Sequence, residues 1–186
     1  GSSGYMIDGF KRALVVSDSN QAAMLGLTSA RSLTSAQLKG YTKTTKASGV
    51  KFVCGENYLI AITGKFYSVS AVDASHYPGR GLTLDATTCA VLAKSTTSLG
   101  RFIKTADKKY YLIEAQSKHL IKDAAAYEKL RGTSAKAVLV GPYFLTRIKD
   151  GKAAGSTMST DAFDAGAPIV PVDPTPAPSA SPSPSA

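Results

Sequence analysis

Two sets of side chains recur at a fixed spacing in this 186-residue chain, and both are of types that can bind a ligand. Tyr5, Tyr58 and Tyr111 stand 53 residues apart, and so do Arg12, Lys65 and Lys118. A row of tyrosine rings offers stacking platforms for a sugar ring or a choline-like cation. The same tyrosines, each with an isoleucine two residues on, serve equally well as core fillers. A row of cations at the starts of three strands would hold phosphate or carboxylate on a polymer. Its plain alternative is three solvated hairpin ends. If the basic row binds polymer, replacing Arg12, Lys65 and Lys118 by Gln removes that binding.

Other chemistry has little material to work with. The chain holds two histidines, three glutamates and two cysteines. His76 and His119 show no metal-ligand spacing with each other or with a cysteine. No nucleophile elbow, phosphate-cradling loop or paired-carboxylate motif occurs, and Gly79-Arg-Gly81 is too short to be more than turn punctuation. The expectation is therefore a chain without catalytic residues, metal or cofactor. Cys54 and Cys89 are 35 residues apart. In an oxidising compartment they would pair, with a loop-closure stabilisation of roughly 4 kcal/mol. In a reducing one they would be two buried thiols.

The elements that must position these residues follow from the same repeat. Besides the tyrosines and cations, Ile7/Ile60/Ile113 and Gly26/Gly79/Gly132 share the 53-residue period, and so do three apolar columns. These are Met6/Leu59/Leu112, Leu14/Tyr67/Leu120 and Met24/Tyr77/Leu130. Seven columns in a 22-residue window without a gap mark a tandem repeat. Each unit reads as a short aromatic and β-branched strand, a tight turn and a return strand. The turns fall at Asp8-Gly9, Thr63-Gly64 and Ala115-Gln116-Ser117, and the returns at 11–16, 65–69 and 118–121. Ser17-Asp18, Ser70 and Asp123 are placed to cap a following short helix, and the repeated glycine to end it in a left-handed conformation. A second short helix is expected after Thr34 and after Asp85.

The expected class is α+β. Three tandem units of about 53 residues, near 5–57, 58–110 and 111–155, would pack as an arc or a pseudo-three-fold ring, since one unit is too small for its own core. The first unit lacks an opening strand, and in a ring Phe144–Ile148 could supply it. Gly1–Gly4 reads as a tag or cloning scar. Residues 156–186 carry no Lys or Arg and seven of the nine prolines, the composition of a disordered Pro/Ser/Ala-rich linker or tail. Residues 1–155 hold all 22 basic side chains and 10 of the 13 acidic ones. The body is thus more basic than the formal charge of +9 suggests. No apolar run is long enough to span a membrane.

The third unit carries a family resemblance. Gly100-Arg-Phe-Ile-Lys104, Lys109-Tyr-Tyr-Leu-Ile113, Lys118-His-Leu-Ile121, Tyr127-Glu-Lys-Leu130 and Gly132 resemble a tandem surface repeat of secreted, cell-wall-associated proteins of high-GC Gram-positive bacteria. The resemblance implies a secreted or cell-wall-associated module beside wall hydrolases or surface proteins, joined by Pro/Ser/Thr-rich linkers. It brings no binding residues with it. The leading expectation is a non-catalytic module binding anionic cell-wall polymer or an extracellular glycan. The alternative is a structural or adhesive protein–protein module, marked by an exposed apolar patch. Nucleic-acid binding is the weaker reading, because the charges are spread over all units without a recognition helix.

Overall fold

The structure is a computed structural model that describes residues 4–45 and 49–154. The expected tail, 156–186, and most of the scar lie outside the described residues. Gly4 is inside them and opens the first strand, paired with Val16.

The first segment forms β1 (Gly4–Ile7), β2 (Arg12–Val16), α1 (Ser19–Met24), α2 (Ser35–Leu38) and β3 (Thr42–Lys43). The second forms β4 (Lys51–Cys54), β5 (Asn57–Ile62), β6 (Lys65–Val69), α3 (Ala71–His76), β7 (Leu82–Thr83) and α4 (Ala86–Val91). The third forms β8 (Phe102–Lys104), β9 (Tyr110–Glu114), β10 (Ser117–Ile121), α5 (Ala124–Arg131), β11 (Val138–Leu139), α6 (Pro142–Thr146) and β12 (Lys149–Asp150). The result is a mixed α+β fold of three sheets, ordered β1-β2-β3, β6-β5-β4-β7 and β11-β8-β9-β10-β12. Each is built on an antiparallel hairpin, and each return strand receives a parallel partner from further along the chain: Arg12↔Thr42, Phe66↔Lys94 and Ser117↔Lys149.

Cap chemistry sets the helices. Asp18, Ser70, Asp85 and Asp123 sit in extended backbone, and their side chains accept from the N–H three residues on. This satisfies one of the amides a helix start leaves open. Thr34 and Gln37 form a reciprocal capping box on α2. The glycine column behaves as its type demands: Gly26, Gly79 and Gly132 all adopt positive φ.

Two expectations fail, for physical reasons. Phe144–Thr146 lies in α6, begun by Pro142 at its first turn. It therefore adds no strand to β1, and the first sheet stays at three strands. The gapless columns also break on the return strands. Leu14 pairs with Met6, Tyr67 with Ile60, and Leu120 with Tyr111. The first hairpin closes through a five-residue loop between Ile7 and Ala13, the other two through two-residue turns at Thr63-Gly64 and Ala115-Gln116. Because side chains alternate faces, a one-residue slip at a turn inverts the strand that follows. Leu14 is fully buried whereas Leu120 is 42% exposed. In the first loop the positive φ falls on Lys11 and not on the Asp8-Gly9 pair.

One core serves all three segments. Met6 and Leu14 from the first, Phe52, Ile60 and Phe66 from the second, and Ile103, Ile113 and Phe144 from the third lie in the same buried cluster. A satellite cluster under α5 joins Phe102, Leu112, Ile121 and Tyr127. Burial of large side chains at such a junction supplies the stabilisation that no single segment could.

Candidate functional site

The expected ligand rows come apart in space. Tyr58 and Tyr111 are half-buried and pack against the main core, and Tyr5 is half-buried beside Val15. Their rings act chiefly as packing. Arg12 is ion-paired to the buried Asp8 carboxylate, and its guanidinium also donates to the Thr83 carbonyl of the second segment. Lys118 pairs with Asp150 at 2.8 Å and donates to the Ile148 carbonyl at 2.8 Å. Lys65 alone of the three faces solvent. Arg12 thus helps to hold a joint between the first and second segments, and Lys118 ties β10 to the end of its own segment.

Those joints follow one rule: each hairpin turn docks on a helical region of another segment. At the first, Gly9 N–H donates to the Asp85 carboxylate at 2.7 Å and to Thr88 Oγ1 at 3.2 Å. Thr88 donates to the same carboxylate through N–H and hydroxyl, and together these donors hold Asp85 down to about 2. At the second, Gly64 N–H donates to the Met24 carbonyl at the end of α1 at 3.0 Å. At the third, Gln116 N–H donates to the His76 carbonyl at 2.9 Å, and Ala115 N–H approaches His76 Nδ1 at 3.4 Å. Arg101 meets His76 Nε2 at 3.3 Å and ion-pairs with Glu114 and Asp73. Burial, helped by the Arg101 charge, lowers the His76 pKa. Tyr143 hydroxyl reaches Asp18 at 3.5 Å, linking the third segment to the first.

Lys51 is the buried cation. Its ammonium donates to the Ala74 and Tyr77 carbonyls at 2.9 and 3.0 Å, closing the C-terminal end of α3. Burial pushes its pKa down. Tyr77, fully buried, donates its hydroxyl to the Gly100 carbonyl at 2.7 Å. Burial drives the phenol pKa upward. These groups are satisfied within the fold.

Cys54 and Cys89 form a disulfide, with an S–S distance of 2.01 Å and a Cα–Cα distance of 5.8 Å. It ties β4 to α4, the helix that receives the first turn. Beside it opens a cleft of about 790 Å³ with Phe10 on its rim. Asn57, Ser68 and Lys94 stand around the opening, while Leu59, Leu84 and the disulfide contribute apolar surface. Sequence reasoning missed all four of Phe10, Asn57, Ser68 and Lys94, because they occupy unrelated positions of the repeat. The one available signal was a phenylalanine next to a turn glycine, where no core needs it.

The ionic balance is uneven. Of the ten described acids, six are in ion pairs and Asp18, Asp85 and Asp123 are helix caps. Glu56 alone is left over among the described residues. By contrast, fourteen described lysines and arginines are exposed and make no ion pair. Among the described residues no group of three His, Cys, Asp or Glu side chains gathers in a way that could hold a metal ion. No described helix is long and apolar enough to cross a membrane.

No family model and no curated protein matches the chain. Two solved structures show a faint likeness. One is a chain of an intact ESX-5 inner membrane complex, composite C3 model, at 10% identity and a TM-score of 0.26. The other is a chain of the periplasmic assembly from the ESX-5 inner membrane complex, C1 model, at 11% identity and a TM-score of 0.26. The match covers 97% of this chain in both cases, and 62% and 70% of those chains. This chain thus spans less than two thirds of the first. Scores this low carry no argument about fold or function.

Proposed function

We propose that this protein is a non-catalytic, secreted or cell-wall-associated module that binds anionic polymer of the cell envelope. The observation that supports this reading is the uneven ionic balance. Among the described residues nine of the ten acids are engaged in ion pairs or helix caps, which leaves fourteen exposed cations without an ion pair and Glu56 as the one unengaged acid. A field of one sign over a compact body attracts a polyanion and holds it through many weak contacts. The hairpin, capped helix and returning strand found in each segment support a three-unit repeat packed on a shared core, with each turn docked on another segment. Such a body displays its charge on a stiff frame. Teichoic-acid phosphates or peptidoglycan carboxylates suit it better than nucleic acid, since the longest described helix has eight residues and none presents a recognition surface.

The test is retention of the full chain on purified Gram-positive walls, with and without teichoic acid, across a salt series. The reading predicts retention that needs the polyanion and falls steeply between low and physiological salt. No retention on either wall refutes it, and docking to another surface protein then becomes the reading to pursue.

A further inference from the structure

The cleft beside the first turn gathers recognition groups that the fold does not use. Its volume, about 790 Å³, lies within the roughly 300–1,000 Å³ of ordinary ligand sites. Phe10 forms one wall and is 54% exposed, a large aromatic surface with no role in the core. The Arg12 guanidinium lies 5.0 Å from its ring centroid. Arg12 is itself fixed by Asp8 and the Thr83 carbonyl, so the ring is held on an ordered base. Asn57, Ser68 and Lys94 are exposed at the cleft, and their side chains make no hydrogen bond or ion pair within the described residues. The acid nearby, Asp85, already accepts from Gly9 and Thr88.

An aromatic face, an amide that both donates and accepts, a hydroxyl and an ammonium make a specific combination. A pyranose ring presents an apolar C–H face for the aromatic, and hydroxyls in its plane for the amide and hydroxyl. The ammonium adds a demand for negative charge. An extended peptide fits less well, because it needs a free strand edge. The outer edge of β6 is already taken by the bonds Phe66 N–H to Ala93, Ser95 N–H to Phe66 and Leu99 N–H to Ser68.

We infer that this cleft is a saccharide subsite for a pyranose carrying a carboxylate or phosphate, with the sugar stacked on Phe10 and its anionic group at Lys94. The inference rests on the polymer-binding reading and adds to it a site that recognises the sugar as well as the charge.

The experiment is an amide-resolved NMR titration of the full chain with four probes. These are a hyaluronan hexasaccharide (carboxylated), N-acetylglucosamine 6-phosphate (phosphorylated), chitohexaose (neutral) and poly-L-glutamate (anionic without sugar). The expected result is saturable shifts at Phe10, Asn57, Ser68 and Lys94 with one or both charged sugars. Which of the two responds separates carboxylate from phosphate. Chitohexaose should bind at the same residues but more weakly, and polyglutamate should shift exposed lysines generally without saturating the cleft. Phe10→Ala should weaken the charged sugar about tenfold, equivalent to ~1.4 kcal/mol. Lys94→Gln should bring its affinity down to that of the neutral sugar. Both side chains are exposed, so both variants should melt with the wild type. Absence of cleft shifts with every sugar, or identical cleft shifts with polyglutamate, overturns the inference. Salt-sensitive wall retention that persists in that case leaves the module reading standing, whereas its loss removes both.

Discussion

The glycine column allows a sharp test of how the segments are joined. Gly26, Gly79 and Gly132 share one place in the repeat and a positive φ, of 72°, 82° and 53°, but at Gly132 ψ is −121°, outside the left-handed helical region. Alanine at Gly26 or Gly79 meets the strain of a positive-φ residue, roughly 1–2 kcal/mol. The smaller entropy of the unfolded chain returns roughly 0.4–1 kcal/mol of this. At Gly79 a Cβ would meet nothing within 4 Å, so the net loss there should be about 1 kcal/mol; Gly132 has equal space, but its ψ of −121° adds backbone strain that an alanine must bear. At Gly26 the Cβ would sit 2.7 Å from the Gly64 carbonyl oxygen, with Gly64 C and Cα at 3.3 Å. That obstacle is backbone, so the second turn must move off α1. Moving it strains the bond from Gly64 N–H to Met24, worth about 1 kcal/mol, and opens the packing around it. Gly26→Ala should therefore lose about 3 kcal/mol in all. In a chain of this size that is roughly 6–12 °C in Tm, against about 2–4 °C for Gly79→Ala. Urea unfolding of the three variants measures this, with the slope m unchanged and the midpoint moved. A Gly26→Ala midpoint equal to that of Gly79→Ala would refute the docked turn.

Removing the disulfide as the double variant Cys54→Ser with Cys89→Ser frees a 35-residue loop and should lower stability by about 4 kcal/mol, read by urea unfolding against the oxidised parent. Lys51→Met leaves the Tyr77 carbonyl without its ammonium donor and should lose about 1–3 kcal/mol by the same method. His76 has a lower pKa folded than unfolded, so the unfolded chain binds more protons in the interval below 6.5. Stability should be full above pH 6.5 and decline as the pH falls from there toward 5, and His76→Gln should flatten that part of a Tm-versus-pH profile.

Local chemistry was legible from residue types alone. Asp18, Ser70, Asp85, Asp123 and Thr34 are caps because a short acceptor side chain before a helical stretch has one low-energy use. The three glycines take positive φ because few other residues tolerate that backbone. The first strands of the hairpins kept their columns, since Met6, Leu59 and Leu112 are all buried. The return strands did not, because turn length is set by what each turn docks against. The first turn needs five residues to carry Gly9 to Asp85, whereas Thr63-Gly64 and Ala115-Gln116 reverse in two. That docking engages Arg12 with Thr83 of the second segment, and Lys118 is engaged within its own segment by Asp150 and Ile148. The cleft was invisible for a related reason: Phe10 comes from one segment, Asn57 and Ser68 from two strands of another, and Lys94 from a loop. Only the folded joint between the first turn and α4 brings them together.

The central claim is that the body recognises anionic envelope polymer through charge held outside its own ion pairs. The most direct measurement is the equilibrium affinity of the full chain for purified teichoic acid, by fluorescence anisotropy, at several salt concentrations. The account predicts saturable binding whose logarithm falls linearly and steeply with the logarithm of salt, because several exposed lysines and arginines act together. Binding that ignores salt, or no binding at low salt, would contradict it.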